Sequence, residues 1–409
     1  MRRPSPWMIT AFLALCAALN YADRSAFSAV LAPLRADLKI SDAVVGLLAS
    51  LFLWSYALSS TFAGILADRF SRSLLVMTSL ALWSACMALT GFAHGLILLG
   101  ACRLGLGLSE SPFHPAAFAL VADHHPPVQR ARAMSLLSVG FQAGIVAGGS
   151  TAGFLADRFG WRSGFWVLGG LGLGLALLAR FLVVDGPKPI ALFAGSARAS
   201  VALRFLGGNP SFLLIVGKQL LAEASTWIFI FWLPLYFFET YHLTLGQSGF
   251  AGTVALSLFL VLGIGLGGWV SDAVARRGGK YRMLVYGICN VLAAPILLVF
   301  LLRPGFTAVM AAVSVWSLLR GMGGASERPA TCEVVPPAYR ATAFGILNAV
   351  SSGIGALGVL LAGVLKDRLG LGVVFAGSAG LFLITGTSLI LGAYLCMPRD
   401  MARARELTV

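Results

Sequence analysis

RLGLGLSESPFHP, residues 103–115, lies inside an apolar run long enough to cross a bilayer, yet it carries Arg103 and Glu110. Residues seven apart on an α-helix stand two turns from each other on nearly the same face, about 10 Å along the axis. A charged side chain at mid-bilayer costs about 2.5–3.5 kcal/mol on insertion scales. That face therefore has to turn toward a protein or water-filled interior, and the pattern predicts a pathway for a solute. RGMGGASERP, residues 320–329, repeats Arg, Ser, Glu and Pro at the same offsets. A membrane chain containing this word twice is expected to consist of two related halves.

Working outward, the 409 residues are 58% hydrophobic and only 11% charged, where a soluble protein has about a quarter of its residues charged. A soluble fold is excluded on that ground. Long apolar blocks separated by short basic stretches predict an all-α polytopic membrane protein, and no segment shows the short alternating pattern of a membrane β-barrel. Taking about 20 apolar residues per span, twelve spans fall near 8–32, 43–67, 73–93, 96–122, 131–155, 163–184, 211–238, 248–272, 282–302, 306–332, 341–365 and 371–396. The longest polar interval, Asp185 to Asn209, separates the sixth from the seventh and holds room for a short amphipathic helix. It predicts an N-terminal six-helix bundle over 1–184, a central cytoplasmic loop over 185–209 and a C-terminal bundle over 210–409.

The formal charge of +14 reads as topology, because the basic residues sit in loops and form no patch or motif for nucleic acid. With both termini cytoplasmic, 17 Lys and Arg fall on that side against 7 opposite (Arg35, Lys39, Arg158, Arg162, Arg303, Lys366 and Arg368), the remaining 6 of 30 lying inside predicted spans. The positive-inside rule supports this orientation. The basic, apolar N-terminus lacks a clear cleavage site and is read as a retained first span of a protein of the inner (plasma) membrane. Cys16, Cys86, Cys102, Cys289, Cys332 and Cys396 have no metal-ligand spacing and are expected as buried thiols.

The repeat extends beyond the opening word. Pro126-Pro127 is followed by Arg130, Ala131, Ala133, Gly153, Asp157, Arg158 and Gly160. Pro336-Pro337 is followed at the same offsets by Arg340, Ala341, Ala343, Gly363, Asp367, Arg368 and Gly370. Parallel six-helix repeats are a common construction of secondary transporters. Gly140, Gly144, Gly148, Gly149 and Gly153, mostly four apart, predict close helix packing on the fifth span.

GILADRFSR, after the second span, resembles the loop signature of the major facilitator superfamily, and GWVSDAVARR at 268–277 is its weaker echo. Twelve spans, central loop and repeat extend the resemblance over essentially the whole chain. Four features are similar to the anion:cation symporters, which include sialin, vesicular glutamate, galactonate and hexuronate carriers. They are Asn20-Tyr21-Ala22-Asp23-Arg24, Arg103…Glu110-Ser-Pro-Phe-His-Pro115, Gly160-Trp161-Arg162 and Trp232-Leu-Pro-Leu-Tyr236. Spinster-like lysolipid transporters share the Asp-Arg and Arg…Glu elements. The resemblance implies two pseudosymmetric bundles and proton-coupled symport of a small organic anion, such as a sugar acid, by alternating access. It implies no cofactor, and a monomer is expected.

Within that frame Asp23 and Glu110 are expected to carry protons. Planar guanidinium suits bidentate carboxylate binding, so Arg24 and Arg103 are expected to hold the substrate anion. The alternative for each pair is an ion pair that fixes packing. From the second half, Lys218, Arg320 and Glu327 are expected to line the cavity. Lys218 and Glu223, five apart and so about 140° around a helix, are not expected to pair with each other. Tyr21 is expected near the substrate, and Gln142 and Asn348 suit hydroxyl recognition because amides donate and accept. Asp68, Arg69 and Asp272 are assigned to gating and structure. A Spinster-like amphiphile transporter is the main rival. A drug/proton antiporter is disfavoured by the excess of arginines, and a non-transporting receptor by the lack of a soluble domain. No Walker A loop, metal cluster or nucleophile motif suggests an enzyme.

Overall fold

A computed structural model describes residues 5–185, 196–336 and 339–406. Among them the chain forms α1 (Pro6–Ala29), α2 (Leu31–Leu38), α3 (Asp42–Arg69), α4 (Arg72–Thr90), α5 (Leu96–Glu110), α6 (Phe113–His124), α7 (Pro127–Phe159) and α8 (Arg162–Leu182). There follow α9 (Ser196–Gly207), α10 (Pro210–Tyr241), α11 (Leu245–Ala275) and α12 (Lys280–Leu297), the last running into a 3₁₀ turn over Leu298–Leu302. The chain continues with α13 (Phe306–Val334), α14 (Arg340–Leu369), α15 (Leu371–Leu395) and α16 (Met397–Glu406). Helices are what a bilayer permits, since each satisfies its own backbone polar groups. Side chains such as Ile97 (91% exposed) and Leu302 (78% exposed) point outward in numbers that only lipid accommodates.

Among the described residues, eleven helices are long and apolar enough to span a membrane. The predicted first span is α1, 24 residues and so about 36 Å long; Asn20, Asp23 and Arg24 reduce its apolar character. Three predicted spans prove composite. The first ends at Val30 and resumes as α2. The ninth finishes in the 3₁₀ turn. The fourth breaks between Glu110 and Phe113, where Pro112 and Pro115 remove two backbone donors. The Ser111 hydroxyl donates to the Leu108 carbonyl (3.2 Å), which Pro112 leaves without its usual amide partner. The second copy of the word behaves differently, because α13 runs unbroken through Pro329.

Contacts divide the chain into two compact units. Unit 1 comprises Met1–Leu192, Ile230–Thr253 and Val359–Val364; unit 2 comprises Phe193–Phe229, Val254–Gly358 and Leu365–Val409. Residues 186–195 of the predicted central loop lie outside the described residues, and α9 occupies the amphipathic stretch that follows.

In unit 1 the α7 glycines do what their spacing predicts. A Cβ on Gly140, Gly144 or Gly148 overlaps the backbone of Ala14, Ala18 or Ala22 respectively, so α1 and α7 approach to backbone contact. Polar ties hold Ile230–Thr253 within this unit. Arg35 makes two bonds to Asp42 (2.7 and 2.8 Å) and one to Glu239 (2.9 Å), while Asp157 accepts from the Leu245 and Gly246 amides (3.0 and 2.9 Å). These amides open α11, where a carboxylate is favoured by the helix dipole.

In unit 2 an apolar core gathers Phe205, Phe212, Met283, Tyr286, Val334 and Met397 from α9, α10, α12, α13 and α16. The repeat is visible in each unit taken alone. Arg130 Nε donates to the His125 carbonyl (3.0 Å), and Arg340 Nε donates to the Val335 carbonyl (3.2 Å), the same contact five residues back.

Candidate functional site

Among the described residues each unit gathers a cluster of charged side chains, buried in unit 1 and part-buried in unit 2. In unit 1, α1 brings Asn20, Asp23 and Arg24 against Arg103 and Glu110 of α5. Arg24 donates from Nε to Glu110 Oε2 (3.0 Å), with Nη2 at 2.9 Å from the same oxygen; their side chains are 8% and 1% exposed. The guanidinium lies over the rings of Tyr21 (4.6 Å), Tyr56 (4.6 Å) and Phe52 (5.0 Å). Three aromatic faces around one cation supply favourable electrostatics where water is excluded.

Arg103 is buried without an ion pair among the described residues. Its guanidinium rests 4.2 Å over Phe27, and Nη2 is 4.0 Å from the Met87 sulfur. Asp23 stands within electrostatic reach of Arg103, Arg24 and Glu110. Among the described residues, both Asp23 oxygens, Arg103 Nε, Glu110 Oε1, Asn20 Nδ2 and Trp83 Nε1 are buried without a hydrogen-bond partner. Each such group costs about 1–3 kcal/mol, more when charged. A structure that concentrates this cost in one place holds groups poised to receive something else.

The cluster in unit 2 is built from Lys218, Gln219 and Glu223 of α10, Tyr286 of α12, and Arg320 and Glu327 of α13. Lys218 Nζ meets Glu223 Oε1 at 2.6 Å and Glu327 Oε2 at 3.5 Å. Glu327 also accepts from Gln219 Nε2 (3.1 Å) and from the Tyr286 hydroxyl. Arg320 lies 5.6 Å over Trp316 with a buried, unpartnered Nε, within electrostatic reach of Glu223.

The two units thus use their shared word alike. The glutamate of the word pairs with a cation on the first long helix of its own unit, Arg24 on α1 or Lys218 on α10. The arginine of the word is left over an aromatic ring. Arg103 and Glu110 share a helix face, but it is Arg24 that takes the carboxylate.

Two expectations are overturned. Of the six cysteines expected as buried thiols, Cys86, Cys332 and Cys396 are only half-buried. Lys218 and Glu223 pair within a single helix despite lying about 140° apart around it. Lysine's four-carbon stem and the length of glutamate carry both heads to a common point beside Glu327 and Tyr286.

Other predicted residues divide. Tyr21 joins the first cluster and packs on Phe141 (4.8 Å), which stacks on His114 (5.2 Å). Gln142 is half-buried on α7 and Asn348 exposed on α14; no hydrogen bond or ring contact ties either to a cluster among the described residues. Asp272 forms an exposed pair with Arg282 (3.2 Å). The side chains of Asp68 and Arg69 lie outside the described residues. Gln219 and Tyr286 were not anticipated. The signal available for Tyr286 was a polar ladder on one face, since Asn290 one turn on donates to its carbonyl (2.9 Å).

Comparison with known proteins places these clusters in context. Residues 13–357 and 220–408 match the sequence profile of the Major Facilitator Superfamily. An MFS-type efflux pump of Mycolicibacterium smegmatis is 27% identical, over 98% of this chain and 94% of its own. The hexuronate transporter of Bacillus subtilis is 26% identical, over 92% of this chain and 90% of its own. The fold is similar to the crystal structure of a bacterial homolog of the human lysosomal transporter Spinster in an inward-facing, unoccupied conformation. That likeness has a TM-score of 0.78 at 21% identity and covers 98% of this chain and 97% of the other.

Proposed function

This chain belongs to the Major Facilitator Superfamily, an integral membrane transporter and not an enzyme, and from that premise we propose that it moves a small organic anion together with protons. The observation that carries this reading is the charge balance of the buried clusters. Asp23, Arg24, Arg103 and Glu110 make two acids and two cations; Lys218, Glu223, Arg320 and Glu327 make the same. An anion added alone to a balanced, water-poor cluster leaves a net negative charge, which a low-dielectric setting penalises heavily. An anion added with a proton leaves none. Coupling follows from electroneutrality.

In this reading Arg103 is the first anchor for a substrate carboxylate, because among the described residues its buried guanidinium has no ion pair to give up. Asp23, with both oxygens unpartnered among the described residues and Arg103 and Arg24 within electrostatic reach, takes the proton. Glu110 exchanges Arg24 for a proton as the carrier reorients. Arg320 offers a second guanidinium in unit 2, while Lys218 and Glu327 hold each other until substrate engages them. Gln142, Asn348 and Tyr21 are proposed to select hydroxyl groups, and Asp68, Arg69 and Asp272 to act in gating. The transporter works as a monomer of two six-helix halves, its termini in the cytoplasm, and alternates access by the rocking typical of repeat-built carriers.

The hexuronate transporter among its relatives supports a sugar acid as substrate. The efflux pump supports export as the direction of a second reading, in which the substrate is a lysophospholipid or another amphiphile. Proteoliposomes decide. Uptake of labelled hexuronate driven by an acid-outside gradient, lost in Glu110→Gln, is the expected result. Transport indifferent to the gradient removes proton coupling, and competition by lysophospholipid alone favours the amphiphile.

A further inference from the structure

We propose that α9 and α16, the two short helices at one end of unit 2, form a docking face for the headgroups of anionic phospholipids. The pair is fastened to the unit on one side only. Ala202, Phe205 and Leu206 of α9 and Met397 and Ala404 of α16 are buried. Asp400 Oδ2 accepts from the Ser211 amide (2.8 Å), which caps α10, and Arg403 reaches over the Phe205 ring (5.3 Å) to the Gly208 carbonyl (3.2 Å). Their outward faces are therefore fixed in direction.

Those faces mix charge with apolar surface. Val201 and Leu203 are each 53% exposed, flanking the exposed Arg204, while α16 exposes Arg399 and Arg405. None of these three arginines takes part in an ion pair among the described residues. Lys280 lies 5.3 Å over the ring of Tyr394, which is 55% exposed three residues before α16 starts. A half-exposed tyrosine with a cation on its face marks the height at which spans leave the hydrocarbon. Helices at that height with arginines beside exposed valine and leucine suit headgroup phosphate and upper acyl chain together. A free anion has no use for Val201 or Leu203.

The inference is independent of what is transported and is tested without transport. The full-length protein in detergent is heated with added phosphatidylglycerol, phosphatidylcholine or inorganic phosphate, and its unfolding midpoint is followed. Phosphatidylglycerol is expected to raise the midpoint saturably and the other two to leave it unchanged. Each arginine at an anionic surface is worth about fivefold. The variant Arg204→Gln/Arg399→Gln/Arg405→Gln is thus expected to need about a hundredfold more phosphatidylglycerol for the same rise, and the single Arg405→Gln about fivefold more. The single variant, altered only in an exposed last turn, keeps the test valid should the triple variant not fold. Equal shifts with phosphatidylcholine, a shift with phosphate alone, or an unaltered response in Arg405→Gln would each overturn the proposal.

Discussion

Arg24 and Glu110 are 86 residues apart in the chain and 2.9 Å apart in the fold, buried together under three aromatic rings. Removing one member of a buried pair leaves an uncompensated charge and costs about 3–5 kcal/mol, whereas removing both is often close to neutral. Arg24→Met is therefore expected to destabilise by that amount, and Arg24→Met/Glu110→Met to recover most of it while remaining transport-dead. Reversible unfolding in mixed micelles, run as a double-mutant cycle, measures the coupling. Additive losses would show that the pair is not a unit.

Among the described residues Arg103 has no carboxylate within ion-pair distance, and the proposed mechanism assigns its guanidinium to the substrate. Arg103→Lys retains the charge and loses the planar fork. The expected result is an unfolding midpoint within a few degrees of the parent and a KM raised about tenfold or more. An unchanged KM takes substrate away from this residue.

Gly144 faces the Ala18 backbone with no space for a Cβ, whereas Gly174 faces open space. Gly144→Ala forces α1 and its charged residues off α7, at about 1–3 kcal/mol for overpacking. Gly174→Ala should be neutral or stabilise by up to about 1 kcal/mol. Parallel thermal melts distinguish the two, and equal effects would refute the α1–α7 contact.

Tyr286→Phe strips Glu327 of one of its donors. The lost bond is worth about 1–3 kcal/mol where the acceptor is charged and shielded. Transport is expected to fall several-fold while expression holds. A rate that matches the parent's would mean the Tyr286–Glu327 bond plays no part in the cycle.

Outside the spans, Asp37 on α2 meets Arg162 at 2.9 Å. The Arg162 hydrogen bond is the main cause that holds its carboxyl below the ordinary aspartate range. The folded value being the lower, the stabilisation is complete above the unfolded pKa, about 3.9, and disappears as pH falls through the folded one. Asp37 is well exposed, so screening limits the gain to about 0.5 kcal/mol or less. A carboxyl titration by NMR should find Asp37 depressed in the parent and back in the usual range in Arg162→Ala.

Part of this was legible from composition and spacing. Apolar runs fix where helices cross, because lipid accepts no unpaired backbone, and the glycine ladder of α7 announces a close neighbour. The α16 helix escaped because MPRDMARARE has no apolar run to mark it; its order comes from Asp400 and Met397 meeting partners far away in the chain.

What the sequence determined alone was the membrane, the helices, the duplicated word and the family, all of which depend on residues near one another along the chain. What only the tertiary structure decided was which cation meets which carboxylate. Helix periodicity places Arg103 and Glu110 on one face, and it separates Lys218 from Glu223, yet Glu110 goes to Arg24 and Lys218 to Glu223. Partner choice in a buried cluster is set by which side chains the packed helices bring within about 3–4 Å, and a charge that meets none there, as Arg103, stays unpaired among the described residues. That distance is a property of the packed helices, and no local spacing encodes it.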